Sequence, residues 1–391
     1  MSTIASGETR KDLALVIADF DIYGGTGAYL KRLLAFLAER YRIHFCFRPG
    51  ERGGAIKELL IRMNCGYSTD FGMPAGLDWF TLRIAQKLGV SHYFEFLRDS
   101  AIRFYLERRY HPRLFVISQG GRYSFFAFLK SKLPVLMVTH SLFTSSILEE
   151  RGGEKFISKF SHISTKNKAI CMVSIAAQSM FTRNIHSAAL STISRCIPNY
   201  GVAPIAGGAR RNDRTIVILT MGHFASYKNP TLWLAVAKEL VGRFAGRIRF
   251  IWAGRGTMLE NLREDAKPYP AIEFPGFVED SASLYLSADI YFQPSIVESQ
   301  GIAVVEAMAA GLPCVVSRAG GLPESIEHGV EGFLCDIHAT EQYIESLSRI
   351  IEDPSLRARL GTNAKLKYLR CFSKARWEEN MNALLHDLLP N

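Results

Sequence analysis

The chain has 391 residues and 43.8 kDa, 48% hydrophobic and 21% charged, which excludes a disordered or fibrous protein and leaves room for two domains, each with its own core. Seven scattered cysteines include no C-x-x-C pair, so neither zinc nor a redox dithiol is indicated and a reducing compartment is the natural setting. The formal excess of +10 sits on the first half: Met1–Ile205 carries 27 Lys+Arg against 15 Asp+Glu, the remainder 20 against 22. Such a surface suits lipid phosphate, an anionic acceptor or nucleic acid, or serves solubility alone.

Arg10, Lys11 and Asp12 precede the apolar run Leu13 to Ala18, which Asp19 ends far short of a membrane span. The run predicts a buried strand rather than a signal peptide, and no later apolar stretch is long enough to cross a bilayer. Gly24 and Gly25 lead into a helix from about Ala28 to Glu39. Further strands are expected at Ile43 to Phe47, Phe115 to Ser118, Val135 to Thr139 and Ala169 to Val173. Asp19-Phe-Asp21 has the spacing of a metal-binding D-x-D, but a carboxylate pair alone is weak support for a hard cation. The glycines at 24–27 do not form G-x-G-x-x-G, so a nicotinamide site is poorly supported.

Between Trp79 and Arg113 aromatic residues alternate with Arg83, Lys87, Arg98, Arg103, Arg108 and Arg109. The mixture suits a helix lying on anionic lipid, and suits equally an amphipathic helix with its aromatics in the core. Pro198 to Asp213 collects Pro, Gly, Ala and charge without periodicity and is read as the domain junction. Nothing in the basic half carries a helix-turn-helix, zinc or RNA-binding motif, so nucleic acid is not expected as a partner.

From Arg214 onward short β-rich runs alternate with amphipathic stretches, the pattern of a parallel sheet wound with helices. Strands are expected at Ile216 to Thr220, Ile248 to Trp252, Ile272 to Phe274, Asp289 to Phe292, Cys314 to Val316 and Gly332 to Leu334. Asn229-Pro230 reads as an N-cap with proline at the first helical position, opening a helix to about Val241. Sheets of this kind bind ligands beyond the carboxyl ends of their strands. Glu298 lies on such a loop, and Glu306 on the following helix, which should begin near Gln300 or Gly301 with its free amides and positive end toward a phosphate or sugar. A carboxylate at Glu306, among Ala303, Val304, Val305, Ala307 and Met308, needs hydrogen-bond donors, and ribose hydroxyls would supply them.

The run Pro294-Ser-Ile-Val-Glu298-Ser-Gln-Gly301-Ile-Ala-Val-Val-Glu306-Ala-Met-Ala-Ala-Gly311-Leu-Pro313, followed by Gly320-Gly321-Leu-Pro323-Glu324, closely resembles the signature of the retaining GT-B glycosyltransferases of family 4. The resemblance implies an α/β chain of two Rossmann-like doubly wound domains facing across a cleft. Residues 1–200 would bind acceptor, 201–372 would bind a nucleotide sugar, and 373–391 would form a helix returning to the first domain. It further implies transfer of a sugar from a nucleotide-diphosphate donor to a glycan or lipid-linked acceptor, with retention and without metal or cofactor. The setting would be cell-surface polysaccharide synthesis on the cytoplasmic side, with peripheral contact to the inner face of the membrane.

Residue by residue, Gly222-His-Phe-Ala-Ser-Tyr-Lys228 looks like the family's Gly-Arg-x-x-x-x-Lys loop, so Lys228 would neutralise the donor diphosphate. His223 stands where the family has Arg, and an unperturbed imidazole is mostly neutral at pH 7. Glu298 and the amides near Gly301 and Ile302 would hold the sugar, and Glu306 the ribose. Gly254 resembles the glycine turn after the second strand, and the loop to Val278 the one whose backbone reads the base. Gly24 and Gly25 resemble a glycine loop near the phosphates, and His140 the histidine beside the transferred sugar. Ile197-Pro-Asn-Tyr200-Gly201 matches the family boundary with Tyr200 inserted, and Gln300 replaces the usual Phe. An epimerase or hydrolase of the same fold, or a donor-binding protein without turnover, are the alternatives.

Overall fold

In a computed structural model of the chain, residues 12–18, 24–47, 54–68, 91–118, 124–140, 164–185, 188–202 and 215–389 are described. The D-x-D at Asp19, the aromatic-basic residues Trp79 to Lys87 and most of the proposed junction lie outside them. The chain divides into two compact units. The first comprises Met1–Met172, Gln178–Cys196 and Met381–Asn391, the second Val173–Ala177 and Ile197–Asn380.

Every described strand of the first unit belongs to one parallel sheet. Its elements run β1 (Leu13–Ala18), α1 (Gly24–Ala38), β2 (Arg42–Phe47), α2 (Gly54–Arg62), β3 (Gly66–Ser68), α3 (Ser91–Tyr110), β4 (Leu114–Ser118), α4 (Ser124–Leu129), β5 (Val135–Thr139), β6 (Lys168–Met172), α5 (Ile175–Ile185), α6 (Ala188–Thr192) and β7 (Ser194–Cys196). The sheet order is β3-β2-β1-β4-β5-β6-β7. Strands buried on both faces, such as β4 and β6, read as unbroken apolar runs because helices cover both sides of a parallel sheet. The periodicity missed β3 and β7, three-residue strands at the sheet's two edges whose Gly-Tyr-Ser and Ser-Arg-Cys sequences carry almost no apolar signal.

The second unit repeats the plan. Its elements are β8 (Ile216–Met221), α7 (Pro230–Arg243), β9 (Ile248–Ala253), α8 (Leu259–Ala266), β10 (Ile272–Gly276), α9 (Ser281–Ser287), β11 (Ile290–Gln293), α10 (Ile302–Ala309), β12 (Cys314–Ser317), α11 (Leu322–Ser325), β13 (Gly332–Cys335), α12 (Thr340–Glu352) and α13 (Pro354–Lys367). The last helix, α14 (Lys374–Leu388), passes from this unit to the first at Met381. The sheet order is β10-β9-β8-β11-β12-β13, all parallel. Alternation along β8 sorts its side chains: Ile218 enters one core with Phe250, Trp252 and Trp233, while Val217 and Leu219 enter the other with Tyr291, Val304 and Met308.

Asn229 stands at the N-cap of α7 with Pro230 following, but not by the expected mechanism. Its backbone is left-handed (φ 58°), and its amide donates to Ile337 O (3.3 Å) rather than accepting from the first turn. Among the described residues no helix is long and apolar enough to cross a membrane.

Candidate functional site

In both sheets the strand order reverses beside the first strand, and in the second the reversal falls between β8 and β11. Crossovers from these two strands leave in opposite directions, so the loops at their carboxyl ends part and expose backbone to a ligand. Those loops are 222–229 and 294–301. Lys228 closes the first, within a 3₁₀ turn over Ser226–Lys228, and Glu298 lies on the second.

The two loops are joined. Ile296 N donates to Tyr227 O (2.8 Å), and the Lys228 ammonium forms a direct ion pair with the Glu298 carboxylate. Both side chains are mostly buried, at 14% and 15% exposure, so solvent screens the pair poorly. Gln293, the last residue of β11, fixes the carboxylate from below. Its Nε2 donates to Glu298 Oε2 (2.9 Å) and Ser295 Oγ (3.1 Å), and its Oε1 accepts from Tyr291 Oη (2.8 Å). Burial above all, with Glu298 and Glu306 adding to it, holds the Tyr291 phenol well above its ordinary pKa, so it remains a donor.

Gly301 caps α10 with φ 87°, a conformation that disfavours any side chain, and an added Cβ would lie 2.7 Å from Leu322 Cδ2. The first backbone bond of the helix is Val304 N to Gly301 O (2.9 Å), which leaves the amides of Ile302 and Ala303 ahead of the intrahelical ladder. Glu306 sits one turn further on. Tyr285 Oη, on α9, donates to Glu306 Oε2 (3.3 Å) and to Ala303 O (3.2 Å). Burial, then the Glu306 charge, raises the Tyr285 pKa well above the usual phenol range, so its proton stays available to the carboxylate.

His223 is exposed and Phe224, its neighbour, is fully buried. Phe224 stacks on Trp252 with 4.7 Å between ring centroids and anchors the loop that carries both His223 and Lys228. Gly254 follows β9 beside this loop, where an added Cβ would fall 1.8 Å from Gly222 O, so only glycine permits the approach. Gly254 N in turn donates to Gly276 O (2.8 Å), which places the partly buried Val278 two residues beyond. Lys228, Glu298, His223, Gly254, Val278, Gly301 and Ile302 thus share the carboxyl edge of one sheet, with Glu306 one turn behind it.

Gly24, Gly25 and His140 belong to the first unit. The helix expected from Ala28 begins at Gly24, so both glycines lie in its first turn. His140 follows β5 directly and packs edge-on to Tyr29, with ring centroids 4.4 Å apart. Burial pushes its pKa down to about 3, so the ring is neutral at pH 7.

Three residues that the sequence did not single out as site residues organise the candidate site: Gln293, Tyr285 and Asn199. Gln293 had a visible signal, a polar residue closing the apolar strand Ile-Tyr-Phe-Gln. Glu324, which ends the Gly320–Glu324 run, accepts from Ile175 N (2.8 Å) and Ala176 N (2.7 Å), about 150 residues earlier in the chain.

Residues 206–367 match the family model described as Glycosyl transferases group 1. A D-inositol 3-phosphate glycosyltransferase from Corynebacterium kroppenstedtii is 36% identical over 159 residues, covering 38% of this chain and 35% of that one. The chain therefore spans about a third of that curated relative's length. Among solved structures, Anabaena HepE in complex with UDP and glucose superposes with a TM-score of 0.70 at 16% identity, over 95% of this chain and 99% of the other. A glycosyltransferase from Rickettsia africae gives a TM-score of 0.75 at 15% identity, over 98% and 100%.

Proposed function

Because this chain carries a glycosyl transferases group 1 domain within a GT-B fold of two Rossmann-like units, we propose that it transfers a glycosyl group from a nucleotide-diphosphate sugar to a hydroxyl-bearing acceptor. One observation supports this reading above others: a buried Lys228–Glu298 pair beside the N-terminus of α10, at the reversal point of the second sheet. Lys228 would meet the diphosphate, Glu298 and the amides of Gly301 and Ile302 the sugar, and Glu306 with Tyr285 the ribose. His223, Gly24 and Gly25 would border the phosphates, and Gly254 and Val278 the nucleoside.

In the reaction the bond from the anomeric carbon to the diphosphate breaks while an acceptor oxygen bonds that carbon and passes its proton to an oxygen of the departing diphosphate. Negative charge grows on the departing nucleoside diphosphate. A fixed ammonium and helix amides already aimed at that charge lower the barrier, since they need no reorganisation when it appears. On this reading the charge is carried without a metal, and transfer proceeds with retention, as in the retaining enzymes of family 4 that the Pro294–Pro313 run resembles. A neutral His140 would hydrogen-bond a sugar hydroxyl. The acceptor would be a glycan or lipid-linked saccharide of cell-surface polysaccharide, made on the cytoplasmic side.

A thermal-shift panel of UDP, GDP and ADP tests the donor reading, because a ligand bound only to the native state raises its melting temperature. One nucleotide should stabilise the protein. Incubation of the matching nucleotide sugar with saccharide acceptors should then give a product of unchanged anomeric configuration by proton NMR, with EDTA present. Stabilisation by none of the three nucleotides would overturn the reading, and release of free sugar alone would favour a hydrolase.

A further inference from the structure

The Glu298 carboxylate has one oxygen doubly engaged and one left over. Its Oε2 accepts both from the Lys228 ammonium and from Gln293 Nε2 (2.9 Å), while Oε1 has no hydrogen-bond partner among the described residues. The backbone beneath is fixed as well, because Gly321 N donates to Glu298 O (3.1 Å). The side-chain torsions are what remain to be held.

The two donors to Oε2 differ in kind. Lys228 brings a charge on a flexible stem, and a diphosphate competes with a carboxylate for that same ammonium. A site that relied on Lys228 alone would loosen its hold on Glu298 at the moment the donor sugar arrives. Gln293 is neutral, ends β11 and is 2% exposed, so no phosphate draws it away. Its amide also has a single orientation. The Tyr291 phenol, kept protonated by burial, donates to Gln293 Oε1 at 2.8 Å against 3.4 Å to Met221 O. With Oε1 facing that proton, Nε2 must face Ser295 Oγ (3.1 Å) and Glu298. A flipped amide would set its own oxygen against the carboxylate.

We propose that Gln293 is a positioning residue: locked by Tyr291, it keeps Glu298 Oε2 occupied while Lys228 turns to the diphosphate, so that Oε1 stays presented to the sugar. This role rests on the donor reading above and adds to it a division of labour, in which a mobile charged donor and a fixed neutral one share one carboxylate oxygen.

Kinetics of the full chain test the role, with whichever of UDP, GDP and ADP stabilises the wild type and with its sugar donor. Gln293→Met keeps the length of the side chain without its donors. At saturating donor it should transfer about 10–100-fold more slowly, the range of one hydrogen bond to a charged group. The nucleoside diphosphate should bind it no more tightly than the wild type, since Lys228 is then the remaining donor to Oε2. Tyr291→Phe leaves both donors in place but frees the amide, and should slow transfer only about 2–10-fold.

Gln293→Glu gives a readout that a merely structural role would not move. Ionised, its carboxylate repels Glu298; protonated, it donates as the amide does. Its rate relative to the wild type should therefore rise at least about fivefold between about pH 8 and about pH 5.5, while that of Gln293→Met stays level. The titratable groups facing this position are Lys228, Tyr291 and Glu298, with Glu306 and Cys314 beyond the phenol, and all five are common to these two variants and the wild type. A wild-type rate in Gln293→Met, tighter nucleotide binding by it, or a pH-independent rate ratio for Gln293→Glu would overturn the positioning role and leave the donor reading standing. Should Gln293→Met not fold, the Gln293→Glu ratio and the Tyr291→Phe rate decide the matter between them. Binding of none of the three nucleotides by the wild type would overturn both.

Discussion

Gln300 and Asn199 form a two-point amide pair inside the second unit. Gln300 Oε1 accepts from Asn199 N (2.8 Å), and Gln300 Nε2 donates to Asn199 O (3.0 Å), both residues being 3% exposed. The glutamine side chain behaves here as a strand of one residue, binding the 197–202 segment to the loop that carries Glu298. Next to it, Gly201 approaches the α10 backbone so closely that an added Cβ would stand 2.9 Å from Glu306 N, and Tyr368 Oη donates to Gly201 O (3.0 Å).

Gln300→Leu removes both bonds and leaves the Asn199 N–H and C=O buried without partners, each worth about 1–3 kcal/mol. The expected result is a fall in melting temperature of at least about 4 °C, using roughly 2–4 °C per kcal/mol for a unit of this size. Gln300→Glu still accepts from Asn199 N but sets a buried carboxylate oxygen against Asn199 O, so it should fall at least as far. Differential scanning calorimetry of the three proteins decides this, and equal melting temperatures would remove the pair from the account of the loop.

The same pair shows what the sequence could and could not say. Parallel strands buried on both faces were legible as apolar runs, within one or two residues of their ends, and Gly254 was legible as a turn glycine, which the structure sets against Gly222 O. Lys228 and Glu298 were placed on the right loops, although the ion pair between them depends on strands β8 and β11 being neighbours across about 70 residues. Gln300 read as a departure from a family pattern, because its partner lies about 100 residues earlier. Tyr285 was invisible for the same reason: a donor to Glu306 is defined by sheet order, and no periodicity encodes it.

Substitutions at the Lys228–Glu298 pair should separate binding from turnover. Lys228→Met removes the cation proposed for the diphosphate, so it should weaken nucleotide binding and depress transfer by about 10²–10³-fold. Glu298→Gln frees Lys228 from its carboxylate. Nucleoside diphosphate should then bind several-fold more tightly, while transfer slows because the sugar loses a charged carboxylate and keeps only a neutral amide oxygen as its hydrogen-bond acceptor. Calorimetric titration with the nucleotide chosen by the thermal-shift panel, together with turnover, reads both effects. Parallel losses in the two variants would contradict opposed roles for the two charges.

Tyr285→Phe tests the ribose assignment without emptying the core, since the ring keeps its packing and only the hydroxyl is lost. Glu306 then lacks its phenolic donor, and the carboxylate is less firmly oriented. Nucleotide affinity should fall about 2–10-fold, corresponding to a net hydrogen bond of about 0.5–1.5 kcal/mol, with the rate at saturating donor little changed. A fall in that rate with unchanged affinity would place the Tyr285–Glu306 pair at the reacting centre instead.

His140 gives the chain a distinctive acid response. Burial lowers its pKa from the ordinary 6.5 to about 3. Between these values the unfolded chain binds a proton at this position that the folded chain does not, so stability is complete above pH 6.5 and falls as the pH drops toward 3. One such proton contributes a slope of at most about 1.4 kcal/mol per pH unit. His140→Gln removes the titration while keeping a polar side chain of similar reach. Melting temperatures of the two proteins should therefore differ by a constant amount above about pH 6.5, with a sign set by how the glutamine packs. Their difference should shift in favour of the variant between pH 6 and 4, where carboxylates common to both cancel. A difference independent of pH across that range would mean that the imidazole protonates as readily in the folded chain as in the unfolded one.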